Sequence, residues 1–247
     1  MGTINAKRAA VRFAAVQQLA VPSNHEGVAH SRDQVVPFPI VAVAAYTGMR
    51  RNEILSLRWT DFDEASATLK VERALEHTKA GIEFKPPKTE RGRRTVKIDA
   101  DLASLLNAER EKQQRLITGV PDGAAVELSL VKLPDDALMF PSPDRLASEK
   151  IEIALASPRE PLSVTHSFRN RAAKLGFAGL RFHDLRGSHA TQLLRRRVPI
   201  DVVARRLGHD PAIMMRAYAK ALPTDDALVA EALSAMSGGV RGGEERA

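Results

Sequence analysis

Four short strings concentrate the residue types that grip anions and move protons. TGMRRNEILSLRW (47–59) carries Arg50, Arg51 and Glu53, and PKTERGRRTV (87–96) carries Lys88, Arg91, Arg93 and Arg94. HDLRGSHATQLL (183–194) carries His183, Arg186 and His189, and LGHDPAIMMRAYAKAL (207–222) carries His209 and, nine residues on, Tyr218. Two blocks are rich in basic residues. Residues 85–97 hold six Lys or Arg and one Glu, and residues 183–220 hold seven Arg and one Lys against three Asp. Two such blocks, far apart in the chain, read as two walls of one polyanion-binding cleft. Taken singly, each string has an ordinary reading. Arg50 beside Arg51 is a solvated pair, Lys88 a surface lysine, HxxR a chance spacing, and Tyr218 a core tyrosine with its hydroxyl satisfied.

The elements that must position these strings follow from periodicity. Residues 3–20 read as a helix, with Ile4, Val11, Phe13, Val16 and Leu19 towards one face, followed by a polar linker over 21–35. Pro39 suits the first turn of a helix that runs to Thr47 and breaks at Gly48, and a second short helix is expected over 51–57. The period then changes. Residues 67–74 alternate, and 82–85 and 95–98 are further strand candidates. Together they predict one antiparallel sheet of about three strands, with the basic PPKTERGRR segment as a hairpin. A helix over 101–116, capped by Asp99 or Asp101, follows. Gly and Pro chop 118–160 into loops, with a short apolar piece at 137–140. Helices are expected over 163–175, 183–196, 199–207 and 211–221, with a final acidic amphipathic helix over 225–236 before a Gly-rich tail. The fold class is mainly α with a small antiparallel sheet (α+β).

Composition narrows the rest. The 247 residues are 44% apolar, which supports a packed core, and 37 Lys+Arg against 30 Asp+Glu give a net charge of +7. There is no cysteine, so disulfides, thiol catalysis and Cys-held zinc or iron–sulfur centres are excluded. Lys7, Arg8 and Arg12 interrupt the first twenty residues, so they do not read as a signal peptide. No apolar run reaches the roughly 18 residues of a membrane span. The expected compartment is the cytoplasm, with no membrane partner.

The strings agree in order and spacing. Arg in TGxRxxE, Lys in a basic hairpin, HxxR, LGH and then a Tyr nine residues after that His resemble the catalytic domain of the tyrosine recombinase, or phage integrase, family over about residues 36–236. The resemblance implies an integrase-like catalytic fold and a DNA strand transferase that cuts and rejoins DNA through a 3′-phosphotyrosine. It places Arg50 and Arg186 as the two catalytic arginines, His183 as the HxxR histidine, His209 as the LGH histidine, Lys88 as the general acid and Tyr218 as the nucleophile. Glu53 would support Arg50, although at three residues' distance it equally fits a helix-surface ion pair.

Physical chemistry suits these roles. Two guanidinium groups match a phosphate that gains negative charge in a pentavalent state. Cations nearby favour the phenolate, and His183 would take its proton. With that much positive charge no metal or other cofactor is required. Arg91, Arg93, Arg94, Arg195, Arg197 and Arg205 are DNA-contact candidates, Arg195–Arg197 being equally readable as a solvated face. His189 reads as structural.

The resemblance also divides the chain: 1–35 as the last helix of a core-binding domain plus linker, 36–236 as the catalytic domain, and 237–247 as a disordered tail. Family members usually carry a longer helical domain in front, so the chain reads as N-terminally truncated. HDLRHT of the family is HDLRGS here, with Gly187 and Ser188 replacing His and Thr. Expected partners are double-stranded DNA and further copies of the chain on it, a tetrameric synapse joined through 225–236, at the nucleoid. The alternative is a non-catalytic, interfering DNA-binding remnant of a mobile-element integrase.

Overall fold

The computed structural model describes residues 38–218 and Ser234. The helix expected over 3–20, the linker over 21–35, the helix over 225–236 and the tail lie outside the described residues.

The chain enters the core on α1 (Phe38–Thr47), whose sequence FPIVAVAAYT is apolar nearly all round. Such a helix is stable only when enclosed, and Ile40 to Ala45 are buried one after another. Thr47 donates to the Val43 carbonyl at 2.5 Å, and Gly48 turns the chain with a φ of +68°. The next helix, α2 (Arg51–Ile54), is a single turn, shorter than the expected 51–57. Trp59 follows on a 3-10 turn (Trp59–Asp61). Its indole N–H donates to Gln113 Oε1 at 2.8 Å, and Gln113 Nε2 in turn donates to the Leu138 and Met139 carbonyls. That chain of bonds pulls the apolar piece 137–140 into the core.

Five strands follow: β1 (Phe62–Asp63), β2 (Thr68–Val71), β3 (Ala74–Thr78), β4 (Gly81–Lys85) and β5 (Arg94–Lys97). They correct the expectation of one sheet. The order β1-β2-β5 forms one antiparallel sheet, with Leu69 opposite Val96, and β3-β4 form a separate hairpin, with Leu75 opposite Phe84. The chain breaks between β2 and β3 because Arg73 is held elsewhere. Its carbonyl accepts from Ser56 Oγ at 2.9 Å and its guanidinium pairs with Asp61 at 2.5 Å. Residues 86–93 are therefore a crossover between two sheets, with a 3-10 turn at Glu90–Gly92, and not a hairpin joining β4 to β5. Lys88 lies on that crossover.

The long helix α3 (Ala100–Thr118) starts where Asp99 accepts from the Leu102 N–H and ends at Gly119 in the left-handed region, as N- and C-caps prefer. Within 118–160, read as loops, two short helices form: α4 (Pro143–Ser148) and α5 (Ile151–Ala156). Each has only six residues, too few for an amphipathic period to register. Then come α6 (Pro161–Lys174), α7 (Phe182–Arg195), α8 (Ile200–Leu207) and α9 (Pro211–Tyr218). The main core runs from α1 through both sheets to α6 and the start of α7, where Phe168 meets Phe182 edge-on at 5.3 Å. A smaller cluster, Ala190, Leu194, Val203, Ala204, Leu207 and Met214, packs the end of α7 against α8 and α9.

Candidate active site

The site is built where α1, α7 and α8 meet. Arg50 is the N-cap of α2. Its backbone N–H donates to Glu53 Oε2 and its Nη1 to Glu53 Oε1, both at 2.8 Å. Glu53 is buried and also receives Arg94, whose Nη2 and Nη1 lie 2.8 and 3.2 Å from its two oxygens. Burial pushes the Glu53 carboxyl up, but the bonds from Arg94 and Arg50 outweigh it and hold it below the usual carboxylate range. One carboxylate thus fixes two arginines. Arg50 keeps 43% of its side chain exposed, whereas Arg94 keeps 5%.

Arg186 comes from the first half of α7 and is buried. Its Nη1 donates to the Gly48 carbonyl at 2.6 Å and its Nη2 to the Leu207 carbonyl at 2.5 Å. One guanidinium therefore ties the turn that carries Arg50 to the end of α8 that carries His209. Both turns need glycine. A Cβ on Gly48 would stand 2.4 Å from Leu207 Cδ2, and one on Gly208 would stand 2.7 Å from the Arg91 carbonyl. Gly208 also has a φ of +65° and closes α8, with its own N–H on the Arg205 carbonyl and the His209 N–H on the Ala204 carbonyl. That is the left-handed cap with paired 5→2 and 6→1 bonds. It delivers His209 to the site.

The two histidines sit in a positive field. Burial and then Arg186 lower the pKa of His183, and burial, Arg186, Arg50, Arg94 and His183 together pull His209 down to about 4. At neutral pH both rings are neutral, each with one N–H to give and one lone pair to receive. An open cleft of about 730 Å³ is lined by Arg50, Arg186 and His183, and also by Arg51, Arg169 and Arg181. No carboxylate is among its lining residues. Such a concentration of fixed positive charge and neutral imidazole is suited to an oxyanion.

The other residues singled out from the sequence fall in different places. Tyr218 ends α9, the helix that follows His209. Lys88 is 88% exposed, with Nζ 3.5 Å from Glu76 Oε1 on the β3-β4 hairpin, and it is not among the residues that line the cleft. Arg91 pairs with Asp210 and so fastens the crossover to the turn after His209. Arg93, Arg195 and Arg197 are exposed, but Arg195 stands nine residues beyond Arg186, on the order of 13 Å along the helix. Arg205 is exposed and pairs with Asp201 at 3.0 Å. Arg94 is a correction. It is enclosed, with Nε on the Arg206 carbonyl at 2.8 Å besides its two bonds to Glu53, so it supports the site from behind and does not face a ligand.

The parts played by two residues, Arg206 and Arg51, do not follow from the sequence. Arg206 donates to the Tyr46 and Lys97 carbonyls and to His189 Nε2. His189 itself gives Nδ1–H to the Ala45 carbonyl at 2.9 Å, which fixes its neutral tautomer and makes it structural, as read. Arg51 was grouped with Arg50 as a solvated pair, yet its guanidinium is half-buried and bonded to Thr165 on α6. Its tether is 114 residues away, so no local pattern could have flagged it.

The model of the phage integrase family matches residues 15–224. The tyrosine recombinase XerC-like protein of Caldanaerobacter subterraneus subsp. tengcongensis is 26% identical over 200 residues, covering 76% of this chain and 46% of that one. The ICEBs1 integrase of Bacillus subtilis is 24% identical, covering 72% and 43%. The chain spans about half the length of the curated relatives it matches. Its fold is similar to that of the Tn1549 transposon integrase (TM-score 0.62, 15% identity, 90% of this chain and 63% of that one). It is also similar to that of the XerA recombinase (TM-score 0.54, 18% identity, 95% and 62%). Those identities speak for the fold alone; the match over residues 15–224, together with the convergence of Arg50, His183, Arg186 and His209, makes this chain a member of the phage integrase family.

Proposed function

We propose that the chain cuts and rejoins double-stranded DNA at specific sites, through a covalent 3′-phosphotyrosine at Tyr218. The observation that carries this reading is a cleft lined by Arg50, Arg186 and His183, with His209 near enough to feel the charge of all three, and Tyr218 on the helix after His209. In the cleavage step Tyr218 Oη bonds to phosphorus as the P–O5′ bond breaks. Arg50 and Arg186 hold the non-bridging oxygens, whose charge grows in the transition state. His183, neutral at pH 7, takes the phenol proton. His209 donates its N–H to the phosphate. Lys88 protonates the leaving 5′ oxygen, which requires its exposed side chain to swing away from Glu76. Rejoining is the reverse, with a 5′ hydroxyl as nucleophile, so the bond energy is kept and no ATP is consumed.

Arg91, Arg93, Arg195, Arg197 and Arg205 would meet phosphates outside the cleft. A DNA partner is supported by the Tn1549 transposon integrase, solved in complex with transposon right-end DNA. Among the described residues no helix is long and apolar enough to cross a membrane. Action on DNA at two sites calls for several copies of the chain, a tetramer joined through 225–236, working at the nucleoid.

The test is covalent trapping. Supercoiled DNA and pooled nicked oligonucleotides are incubated with the protein at low salt and quenched in detergent. A protein–DNA adduct is expected, and Tyr218→Phe should abolish it while DNA binding persists. DNA binding without any adduct from the unaltered chain would overturn the reading.

A further inference from the structure

Arg50 and Arg51 are neighbours, yet their guanidinium groups serve opposite walls of the cleft. Arg50 turns to Glu53 beside Arg94. Arg51 turns to α6, where Thr165 Oγ1 accepts from its Nη1, and its Nε donates to Asn52 Oδ1 at 2.9 Å. Both tethers are themselves fixed. Thr165 spends its hydroxyl proton on the Pro161 carbonyl at 3.2 Å, and Asn52 Nδ2 is held by the Leu75 carbonyl at 2.9 Å. Arg51 is therefore preorganised at a cost its surroundings have already met. Those bonds use Nε and Nη1 and leave the Nη2 edge for a ligand.

Charge makes the arrangement unusual. Arg50 has Glu53, and Arg181 at the cleft mouth has Asp184 at 2.9 Å. Among the described residues Arg51 has no carboxylate within ion-pair distance; the nearest acid to act on it, Glu160, is bonded to His77 at 3.0 Å. A half-buried cation without a counter-ion is costly unless an anion arrives. Arg169, exposed on the same helix as Thr165, lines the cleft beside it. The cleft, at about 730 Å³, is in the size class that encloses a whole drug-sized ligand, more than a single phosphate needs.

We propose that Arg51, positioned by Thr165 and assisted by Arg169, binds the phosphate adjacent to the one held by Arg50 and Arg186, so that the cleft takes two consecutive phosphates of one strand. This rests on the reading of the cleft as a phosphodiester site. The second contact would hold the strand in register, so that the reacting phosphate cannot slide past Tyr218.

Two small probes test it on the full chain: thymidine 3′-phosphate and thymidine 3′,5′-bisphosphate, titrated calorimetrically at low salt. The bisphosphate should bind about tenfold more tightly, the worth of one charge-assisted contact. Arg51→Gln should bring that ratio close to one and leave monophosphate binding unchanged. Thr165→Val, which keeps the charge but frees the guanidinium, should lower the ratio part of the way. Unaltered thermal unfolding of both variants shows that the fold is intact. A ratio near one in the unaltered chain, a ratio that survives Arg51→Gln, or an equal loss for both probes would overturn the subsite. Its failure is distinct from that of the strand-transfer reading. An adduct at Tyr218 with a flat ratio removes the subsite alone, and a steep ratio without an adduct removes the strand-transfer chemistry alone.

Discussion

Glu53 decides the fate of two cations, so its removal has consequences beyond Arg50. With both Glu53 and Arg94 side chains almost wholly enclosed, Glu53→Gln leaves Arg94 charged and uncompensated. Breaking a buried pair from one side costs about 3–5 kcal/mol, and urea unfolding should register a loss of that order. Cleavage should fall as well, because Arg50 loses the carboxylate that aims it. The sign of the pH dependence follows from the lowered carboxyl pKa. The stabilisation is complete above the unfolded value, ~4.3, and is lost as pH falls through the lower folded value. His189 acts in the same direction over a higher window. Burial, with Arg206 beside it, depresses its pKa to about 4, against ~6.5 in the unfolded chain. The unfolded state therefore binds more protons between those values, and His189 alone should contribute on the order of 3 kcal/mol at most to a decline in stability from pH 6.5 towards 4, to which His209 adds in the same direction. His189→Asn should start less stable at pH 7 and show a shallower decline. A decline as steep as that of the unaltered chain would show that another group titrates instead. The pairing of Glu53 with Arg50 was legible from their spacing, but the claim of Arg94 on the same carboxylate was not, since it arrives from 41 residues away.

The turns at Gly48 and Gly208 act as a pair, because Arg186 bonds the carbonyl of one and the carbonyl just before the other. Gly48→Ala forces an L side chain into positive φ and towards Leu207. Left-handed strain and overpacking together should cost about 3 kcal/mol. Gly208→Ala meets backbone, the Arg91 carbonyl, which cannot rotate away, and so should displace the crossover and lower cleavage more than stability. Comparing thermal midpoints with adduct yield for the two variants separates these effects. Helices α3 and α8 were readable because each has a clear start or stop, Asp99 before α3 and Gly208 after α8, whereas the four-residue α2 fell short of the helix expected over 51–57. The sheet was not. Strands of four or five residues alternate alike whichever neighbour they take, and pairing was settled by Arg73, Ser56 and Asp61 pulling the chain out of the first sheet. The same pull turned an expected hairpin into a crossover and carried Lys88 towards Glu76.

The chain as a whole is basic, with a net charge of +7, yet its arginines divide between two tasks that composition cannot separate. Some are structural. Arg94 and Arg206 bond protein carbonyls and, for Arg94, a buried carboxylate. Others, Arg93, Arg195 and Arg197 among them, are exposed. Arginines enclosed against protein groups, such as Arg94 and Arg206, cannot displace counter-ions from DNA, whereas these exposed ones can. Each phosphate neutralised contributes about 0.9 to the slope of log K against log salt concentration. Replacing Arg195 and Arg197 by Ala should therefore lower that slope by up to about 1.8, weaken binding to every sequence alike, and leave unfolding unchanged. Arg94→Met should do the reverse, lowering the unfolding midpoint in urea while the slope stays near that of the unaltered chain. A filter-binding series over salt, paired with urea unfolding, measures both quantities on the same variants. If Arg94→Met lowered the slope as much as Arg195→Ala does, Arg94 would be reaching DNA after all, and Glu53 would have to release it when DNA binds.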